Sequence, residues 1–146
     1  MTPLASILVV EDEPKLAALV RDYLEDAGYA CSVLGSGTGV VEWVRVHAPA
    51  AILLDVNLPG IDGFEVVRRL RAFSSTYVIM LSARRDEIDT LTGLNAGADD
   101  YVAKPFRPRE LRARVEAMIR RRELEHQGVP AAQTAEPPDE EWISHN

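Results

Sequence analysis

The sequence alternates short apolar runs with segments of helical spacing, and few folds are compatible with this alternation. Five runs predict strands: ILVV (7–10), ACSVL (30–34), AILL (51–54), YVIML (77–81) and YVA (101–103). Between them apolar residues recur at helical spacing, for example Leu16, Leu19, Val20, Tyr23 and Leu24, or Ile88, Leu91 and Leu94. Strands that are apolar throughout are typical of parallel sheets covered by helices. The pattern therefore predicts an α/β fold, a five-stranded parallel sheet with helices on both faces.

The length and composition of the chain indicate one globular domain with an acidic tail. The 146 residues are 47% hydrophobic and 27% charged, and no apolar run approaches the roughly 18 residues that a membrane-spanning helix needs. Residues 124–146 hold five of the 23 acidic residues and none of the 16 basic ones. We therefore predict a domain over residues 1–123, followed by an acidic, Pro- and Ala-rich linker or disordered tail over 124–146.

The N-terminus and the cysteine content indicate where the protein is located. MTPLASILVV has neither the basic region nor the cleavage site of a signal peptide, and the single cysteine, Cys31, excludes an intramolecular disulfide. These features predict a cytoplasmic protein with no membrane partner. Because most of the net charge of −7 lies in the tail, the predicted domain has no basic footprint for direct binding of nucleic acid.

Polar residues follow four of the five predicted strands, at the ends that a parallel sheet brings to one edge. They are Glu11, Asp12 and Glu13 after the first strand, Asp55 and Asn57 after the third, Ser82 after the fourth and Lys104 after the fifth. Converging acids repel one another unless a cation is present, and carboxylate oxygens with room for water suit Mg²⁺. We interpret Asp55 as a nucleophile that accepts a phosphoryl group, whose oxygens Lys104 and Ser82 hold.

Four motifs occur in order, ILVVEDE, ILLDVNLPGIDG, IMLSA and GADDYVAKPF, and together they resemble the receiver domain of two-component response regulators, the CheY-like family. The resemblance covers about residues 5–123. It implies a flavodoxin-like (βα)5 fold with strand order 2-1-3-4-5. It also implies a phosphoacceptor switch that catalyses only its own phosphorylation and dephosphorylation, with a sensor histidine kinase or a small phosphodonor as the source of phosphate.

By position, the resemblance assigns roles to individual residues. Asp55 would be the phosphoacceptor, Lys104 would pair with the phosphate, and Ser82 and Tyr101 would be the switch hydroxyl and the switch aromatic ring. The bond before Pro105 would be cis. The ligands of Mg²⁺ would be Glu11, Asp12, Asp55 and the backbone carbonyl of Asn57.

The segment GADDYVAKPFRPRELRARVEAMIRRR resembles the OmpR/PhoB branch of the family, whose members are winged-helix transcription factors. In that branch phosphorylation promotes a symmetric dimer through the fourth helix, the fifth strand and the fifth helix. By position, Asp100 would pair with Arg114 of the partner subunit and Asp99 with Arg121 of the partner subunit. Thr92 stands where a third pair would need a basic residue. The resemblance implies control of transcription, with DNA bound through an output domain outside these 146 residues; the alternative is a single-domain regulator.

Three other interpretations of these residues stay open. LGSGTGVVEW resembles a dinucleotide-binding fingerprint, but Val40 replaces its third glycine and the motif follows the second strand rather than the first. A phosphatase or mutase with an aspartyl nucleophile is compatible with Asp55, although Asn57 stands where such enzymes place a second acid. A pure interaction module without phosphorylation is disfavoured by the presence of Asp12, Asp55 and Lys104.

Overall fold

The computed structural model describes residues 5–83 and 87–126, which form alternating strands and helices. The elements in chain order are β1 (Ser6–Val10), α1 (Pro14–Asp26), β2 (Ala30–Leu34), α2 (Val40–His47), β3 (Ala51–Asp55), α3 (Gly63–Leu70), β4 (Tyr77–Ser82), α4 (Glu87–Ala96), β5 (Asp100–Ala103) and α5 (Pro108–His126). Each strand lies within one residue of its predicted bounds. The alternation that the apolar runs predicted is therefore confirmed.

The five strands form one parallel sheet in the order β2-β1-β3-β4-β5. This is the flavodoxin-like order that the family resemblance implied, and the prediction is confirmed. The register aligns the carboxyl ends of the strands, since Asp55 lies opposite Leu81 and Ser82 lies opposite Ala103. Side chains that leave these ends therefore share one edge of the sheet.

Both faces of the sheet are buried. Alternate residues of a strand point to opposite faces, and one set packs with α2 and α3 into a single apolar cluster. Its fully buried members include Leu8, Ile52, Leu54, Val78 and Met80 from the strands, and Val40, Val66, Val67 and Leu70 from the two helices. On the opposite face Ile7, Leu53 and Ile79 are equally inaccessible, and α1 buries Val20 and Leu24. The sheet therefore has a core on each side, as the apolar strands predicted.

Two helices bury a narrower face than their apolar spacing predicted. Leu19 in α1 is 54% exposed, and Leu91 and Leu94 in α4 are 50% and 40% exposed. In α1 the buried positions are Ala17, Val20 and Leu24, which are spaced three and four residues apart, so Leu19 falls beside that stripe. Apolar residues at helical spacing are therefore not all buried in these helices.

The described residues divide into two compact units, with the boundary between Arg112 and Ala113, inside α5. The helix itself continues to His126, beyond the predicted domain end at residue 123. Most of the predicted tail lies outside the described residues, so its character stays a prediction. Over residues 5–83 and 87–126, no helix has the length and apolar composition that crossing a bilayer requires.

Candidate functional site

The carboxyl ends of β1, β3 and β5 bring three charged side chains together. Glu11 follows β1, Asp55 ends β3, and Lys104 follows β5. Backbone hydrogen bonds fix two of these ends: the Glu11 N–H donates to the carbonyl of Leu34 at 3.0 Å, and the Lys104 N–H donates to the carbonyl of Ser82 at 2.7 Å. The bond from Lys104 to Pro105 is cis, as the resemblance implied. The parallel sheet thus joins residues that are 93 positions apart in the chain.

Lys104 bridges two buried carboxylates. Its Nζ donates to Oε1 of Glu11 at 2.9 Å and to Oδ2 of Asp55 at 3.2 Å. The second oxygen of each carboxylate accepts a backbone N–H from two residues further on, from Glu13 to Oε2 of Glu11 and from Asn57 to Oδ1 of Asp55, both at 3.1 Å. Each carboxylate is therefore held by two donors, and its orientation is fixed before a ligand binds.

The pKa values of Glu11 and Lys104 both lie above their ordinary values, for different reasons. Glu11 is 3% exposed, and its burial raises the pKa of its carboxyl group above the ordinary 4.5; the charge of Asp55 adds to this, while hydrogen bonds from Lys104 and Glu13 oppose it. Burial by itself would lower the pKa of Lys104, but the hydrogen bond to Glu11 and the charge of Asp55 outweigh it, so the pKa lies above 10.5. Two carboxylates stabilise the charged form of Lys104, whereas Glu11 shares the single ammonium group with Asp55.

Asp12 completes a cluster of three acids. One carboxylate oxygen from each of Glu11, Asp12 and Asp55 lies within 4.8 Å of the other two. Glu11 and Asp55 are buried and Asp12 is exposed, so solvent reaches the cluster from the side of Asp12. Mg²⁺ prefers oxygen ligands and keeps several of its waters in proteins, and this donor set fits it. The three acids that the sequence predicted to converge are thus brought together.

The other predicted site residues lie close to this edge. Asn57 is exposed and its N–H contacts Asp55, whereas a role for its carbonyl as a metal ligand stays a prediction. Ser82 ends β4 and is 0% exposed. Tyr101 lies on β5 opposite Met80 and packs, half-buried, against the apolar cluster. The switching roles of Ser82 and Tyr101 stay predictions.

Asp99 has partners in its own chain that the sequence did not predict. Its Oδ2 accepts hydrogen bonds from Nη2 of Arg71 at 2.9 Å and from the N–H of Val78 at 2.8 Å. Arg71 also donates to the carbonyl oxygens of Gly97 at 2.8 Å and Thr76 at 2.7 Å. Nothing in the local pattern distinguishes Arg71 from the other arginines near the end of α3, because its partners Gly97 and Asp99 belong to a distant segment. A pairing of Asp99 across a dimer would compete with these bonds.

The remaining residues of the predicted dimer surface lie on β5 and α5. Asp100 begins β5 and accepts hydrogen bonds from the Tyr77 hydroxyl at 3.3 Å and from the Tyr101 N–H at 2.9 Å. Arg114 and Arg121 lie on the part of α5 that belongs to the second unit. Pairing of these residues with a second subunit stays a prediction.

Replacing Lys104 by Met is expected to destabilise the metal-free domain by about 1 to 3 kcal/mol at pH 7, because two buried carboxylates lose their shared cation. The loss should shrink as the pH falls toward 4.5, because burial raises the pKa of Glu11 and its protonated carboxyl group needs no cation, so the folded variant then binds more protons than its unfolded chain. Urea denaturation at both pH values measures this. Lys15→Met, at an exposed position of α1, is the control. A Lys104→Met protein as stable as the parent at pH 7 would contradict the bridging role.

The fold and the site together define a class of protein. A parallel sheet of order β2-β1-β3-β4-β5, with a cluster of acids and a bridging lysine at its carboxyl edge, is a flavodoxin-like α/β domain with an acidic pocket. The family model described as the response regulator receiver domain matches residues 7–116. The chain belongs to this family.

Similar proteins agree with this assignment. The chain is 49% identical over 125 residues to the transcriptional regulatory protein BaeR of Escherichia coli, and the alignment covers 83% of this chain and 52% of BaeR. It is 47% identical over 119 residues to the DNA-binding response regulator MtrA of Mycolicibacterium smegmatis, and this alignment covers 82% of this chain and 52% of MtrA. These relatives are regulators of the OmpR/PhoB type. The chain spans about half the length of the curated relatives it matches.

Solved structures show the same likeness. The receiver domain of the Francisella response regulator 1452 superposes with a TM-score of 0.77 at 30% identity, over 80% of this chain and 98% of that one. The BeF3-activated N-terminal receiver domain of Klebsiella pneumoniae RstA gives a TM-score of 0.75 at 30% identity, over 79% and 98%. The predicted family is confirmed by the sequence and by the fold.

Proposed function

We propose that this receiver domain accepts a phosphoryl group on Asp55, from a sensor histidine kinase or from a small phosphodonor. The observation that carries the proposal is the Lys104 bridge. The ammonium group of Lys104 lies 3.2 Å from Oδ2 of Asp55 and 2.9 Å from Oε1 of Glu11. These acids belong to a cluster whose third member, Asp12, is exposed. A pocket that already balances acids against a cation is suited to receive a phosphoryl group, which brings further negative charge.

In the proposed reaction a carboxylate oxygen of Asp55 attacks phosphorus. The bond between phosphorus and the donor's leaving group breaks, the leaving group departs with the electron pair, and an acyl phosphate forms on the chain. Lys104 pairs with the phosphoryl oxygens, and the Ser82 hydroxyl donates to one of them. When bound by Glu11, Asp12, Asp55 and the Asn57 carbonyl, Mg²⁺ supplies neutralising charge to those oxygens.

The proposed product stays attached to the protein, so we describe the domain as a phosphoacceptor switch and not as an enzyme that turns over an external substrate. Asn57 supports this view, because it stands where aspartyl phosphatases and mutases carry a second acid for general acid–base catalysis. Family membership and the bridged pocket favour this function over dinucleotide binding and over a pure interaction module.

The proposal is tested by incubating the chain with acetyl phosphate and measuring its intact mass. We expect a mass increase of one phosphoryl group in the presence of Mg²⁺ and none when a chelator removes the metal. The Asp12→Ala protein, which lacks the exposed member of the acid cluster, should also lose the reaction. Incorporation that is unaffected by the chelator would contradict the role of the metal, and absence of incorporation from acetyl phosphate and from histidine kinases would contradict the function.

We further propose that phosphorylation changes the surface formed by α4, β5 and α5, and thereby promotes a homodimer that controls transcription through an output domain. The matched segment makes up 52% of each of the relatives named as transcriptional and DNA-binding regulators, which leaves room in them for such a domain. The exposed leucines of α4, Leu91 and Leu94, offer apolar area on this surface. A cytoplasmic location, where kinase and DNA are both accessible, belongs to the same proposal.

Dimerisation should be detectable by sedimentation when beryllofluoride and Mg²⁺ mimic the phosphoryl group. The double variant Asp100→Ala with Arg114→Ala should weaken the dimer by up to about thirtyfold, because a symmetric interface contains the pair twice and an exposed ion pair contributes about 0 to 1 kcal/mol. Asp22→Ala, at an exposed position of α1, is the control. A parent protein that remains monomeric at high micromolar concentration would contradict the dimer and leave the phosphoacceptor role untouched.

A further inference from the structure

The glycine-rich loop between β2 and α2, residues 35–39, packs against the loop between β3 and α3, residues 56–62, which follows Asp55. Two donors converge on the carbonyl oxygen of Pro59, the hydroxyl of Ser36 and the N–H of Gly37, each at 3.1 Å. The Ser36 hydroxyl oxygen also accepts the N–H of Thr38 at 3.0 Å. Ser36 therefore orders its own loop and holds the neighbouring loop with the same hydroxyl group.

The backbones of the two loops approach closely at two glycines. A Cβ at Gly37 would overlap the carbonyl oxygen of Ile61 and would lie 2.8 Å from the carbonyl carbon of that residue. A Cβ at Gly60, where φ is +82°, would overlap Oγ1 of Thr38 and lie 3.1 Å from Oγ of Ser36. At Gly37 a side chain would require the backbone of Ile61 to move, and at Gly60 the positive φ and the side chains of Thr38 and Ser36 oppose one. Gly37 of LGSGTG thus permits the close contact between the loops.

The contact lies two residues from Asn57. The N–H of Asn57 donates to Oδ1 of Asp55 at 3.1 Å, and Asn57 itself is exposed. Before Asn57, the N–H of Val56 donates to the carbonyl oxygen of Leu81 at 3.0 Å. After it, Leu58 is 9% exposed and belongs to the apolar cluster, and the hydrogen bonds to Pro59 fix the path of the chain. The position of the Asn57 peptide group is therefore determined by the residues on both sides.

We propose that Ser36 and Gly37 are positioning residues for the metal site. They fix the loop that carries Asn57, and so place its carbonyl for Mg²⁺ and its N–H for Asp55. This inference rests on the proposed function, because it requires a metal bound at the acid cluster. Neither residue contacts the acids, so their loss should weaken the affinity for Mg²⁺ without lowering the capacity of Asp55 for phosphate.

The test is a calorimetric titration of the phosphate-free protein with Mg²⁺. In Ser36→Ala the dissociation constant should rise about threefold to tenfold, the range expected for loss of the one hydrogen bond that Ser36 donates to the loop carrying Asn57. Ser36→Thr keeps the hydroxyl and should bind like the parent. Ser74→Ala is the matched control, because the Ser74 hydroxyl accepts the N–H of Thr76 at 3.1 Å in a similar local turn, at the opposite edge of the sheet. Gly37→Ala should bind more weakly than Ser36→Ala.

A second readout separates positioning from general damage. At saturating Mg²⁺, Ser36→Ala should incorporate as much phosphate from acetyl phosphate as the parent does. Parent and Ser36→Ala proteins with equal affinity for Mg²⁺ would overturn this inference and leave the proposed function intact, and so would equal weakening in Ser36→Ala and Ser74→Ala. A parent that binds no Mg²⁺ would overturn both. If Gly37→Ala fails to fold, the result from Ser36→Ala decides.

Discussion

Replacing Asp55 by Asn is expected to abolish phosphoryl incorporation and to leave the fold intact. The amide group has nearly the shape of the carboxylate, and its oxygen can still accept the Asn57 N–H that now binds Oδ1. It is not a nucleophile toward phosphorus, however, so no acyl phosphate can form. Intact-mass measurement after incubation with acetyl phosphate and Mg²⁺ should show only the unmodified chain, with an unchanged circular dichroism spectrum.

The control for this variant is Asp62→Asn. Asp62 is the N-cap of α3, and its Oδ1 accepts the N–H of Glu65 at 3.0 Å. Asparagine caps helices about as well as aspartate does, so this protein should fold and be phosphorylated like the parent. Full incorporation in Asp55→Asn would contradict the assignment of the phosphoacceptor. Equal loss in both variants would point to a general effect of removing one acid.

Replacing Gly63 by Ala is expected to destabilise the domain by about 3 kcal/mol, through overpacking against backbone atoms that cannot move aside. Gly63 begins α3 directly behind the end of β3. A Cβ there would lie 2.6 Å from the carbonyl oxygen of Asp55, 2.9 Å from the Cα of Val56 and 3.0 Å from Cε of Met80. Relief of these contacts has to shift α3 or the end of β3. Urea denaturation measures the change in the free energy of unfolding.

The control for Gly63→Ala is Gly35→Ala. A Cβ at Gly35 would have the carbonyl oxygen of Glu11 as its nearest neighbour, at 4.0 Å, which is an ordinary contact. This substitution should change the free energy of unfolding by no more than about 0.5 kcal/mol. Equal stability of the two alanine variants would show that the approach of α3 to β3 is not a tight constraint.

The position of Lys104 between Glu11 and Asp55 would connect the binding of metal with the arrival of phosphate. In the metal-free domain Lys104 carries out the neutralisation of Glu11 and Asp55. A phosphoryl group on Asp55 would compete for the same ammonium group, and Glu11 would then need another cation. We therefore expect the arrival of phosphate and the binding of Mg²⁺ to be coupled through Lys104, which is consistent with the proposed requirement for the metal.

Much of the fold could be predicted from local patterns. Short, uniformly apolar strands indicated a parallel sheet with two covered faces, and turn residues such as Gly28 marked where the helices end. The strand order depended on the family resemblance, because periodicity does not reveal which strands are neighbours. The exposure of Leu19 and Leu94 could not be predicted, since apolar spacing does not show which residues of the pattern are covered by a neighbouring element.

The acid cluster could also be predicted, because the carboxyl ends of parallel strands converge. Its detailed contacts could not. A lysine that follows β5 can reach either acid, and only the packed structure shows that Lys104 contacts both Glu11 and Asp55. The bonds of Arg71 to Asp99 and to the carbonyl of Gly97 join residues more than 20 positions apart, and no local pattern marks them.

The measurement that tests the central claim most directly is reduction of the phosphorylated chain with borohydride, followed by peptide mapping. An acyl phosphate on an aspartate is reduced to homoserine, whereas a phosphoserine is not, so the reaction reports both the chemical bond and its position. We predict homoserine at position 55 and at no other acid of the cluster, and only after incubation with a phosphodonor and Mg²⁺. Homoserine at position 12, or a phosphate that resists reduction and maps to Ser82, would contradict the account.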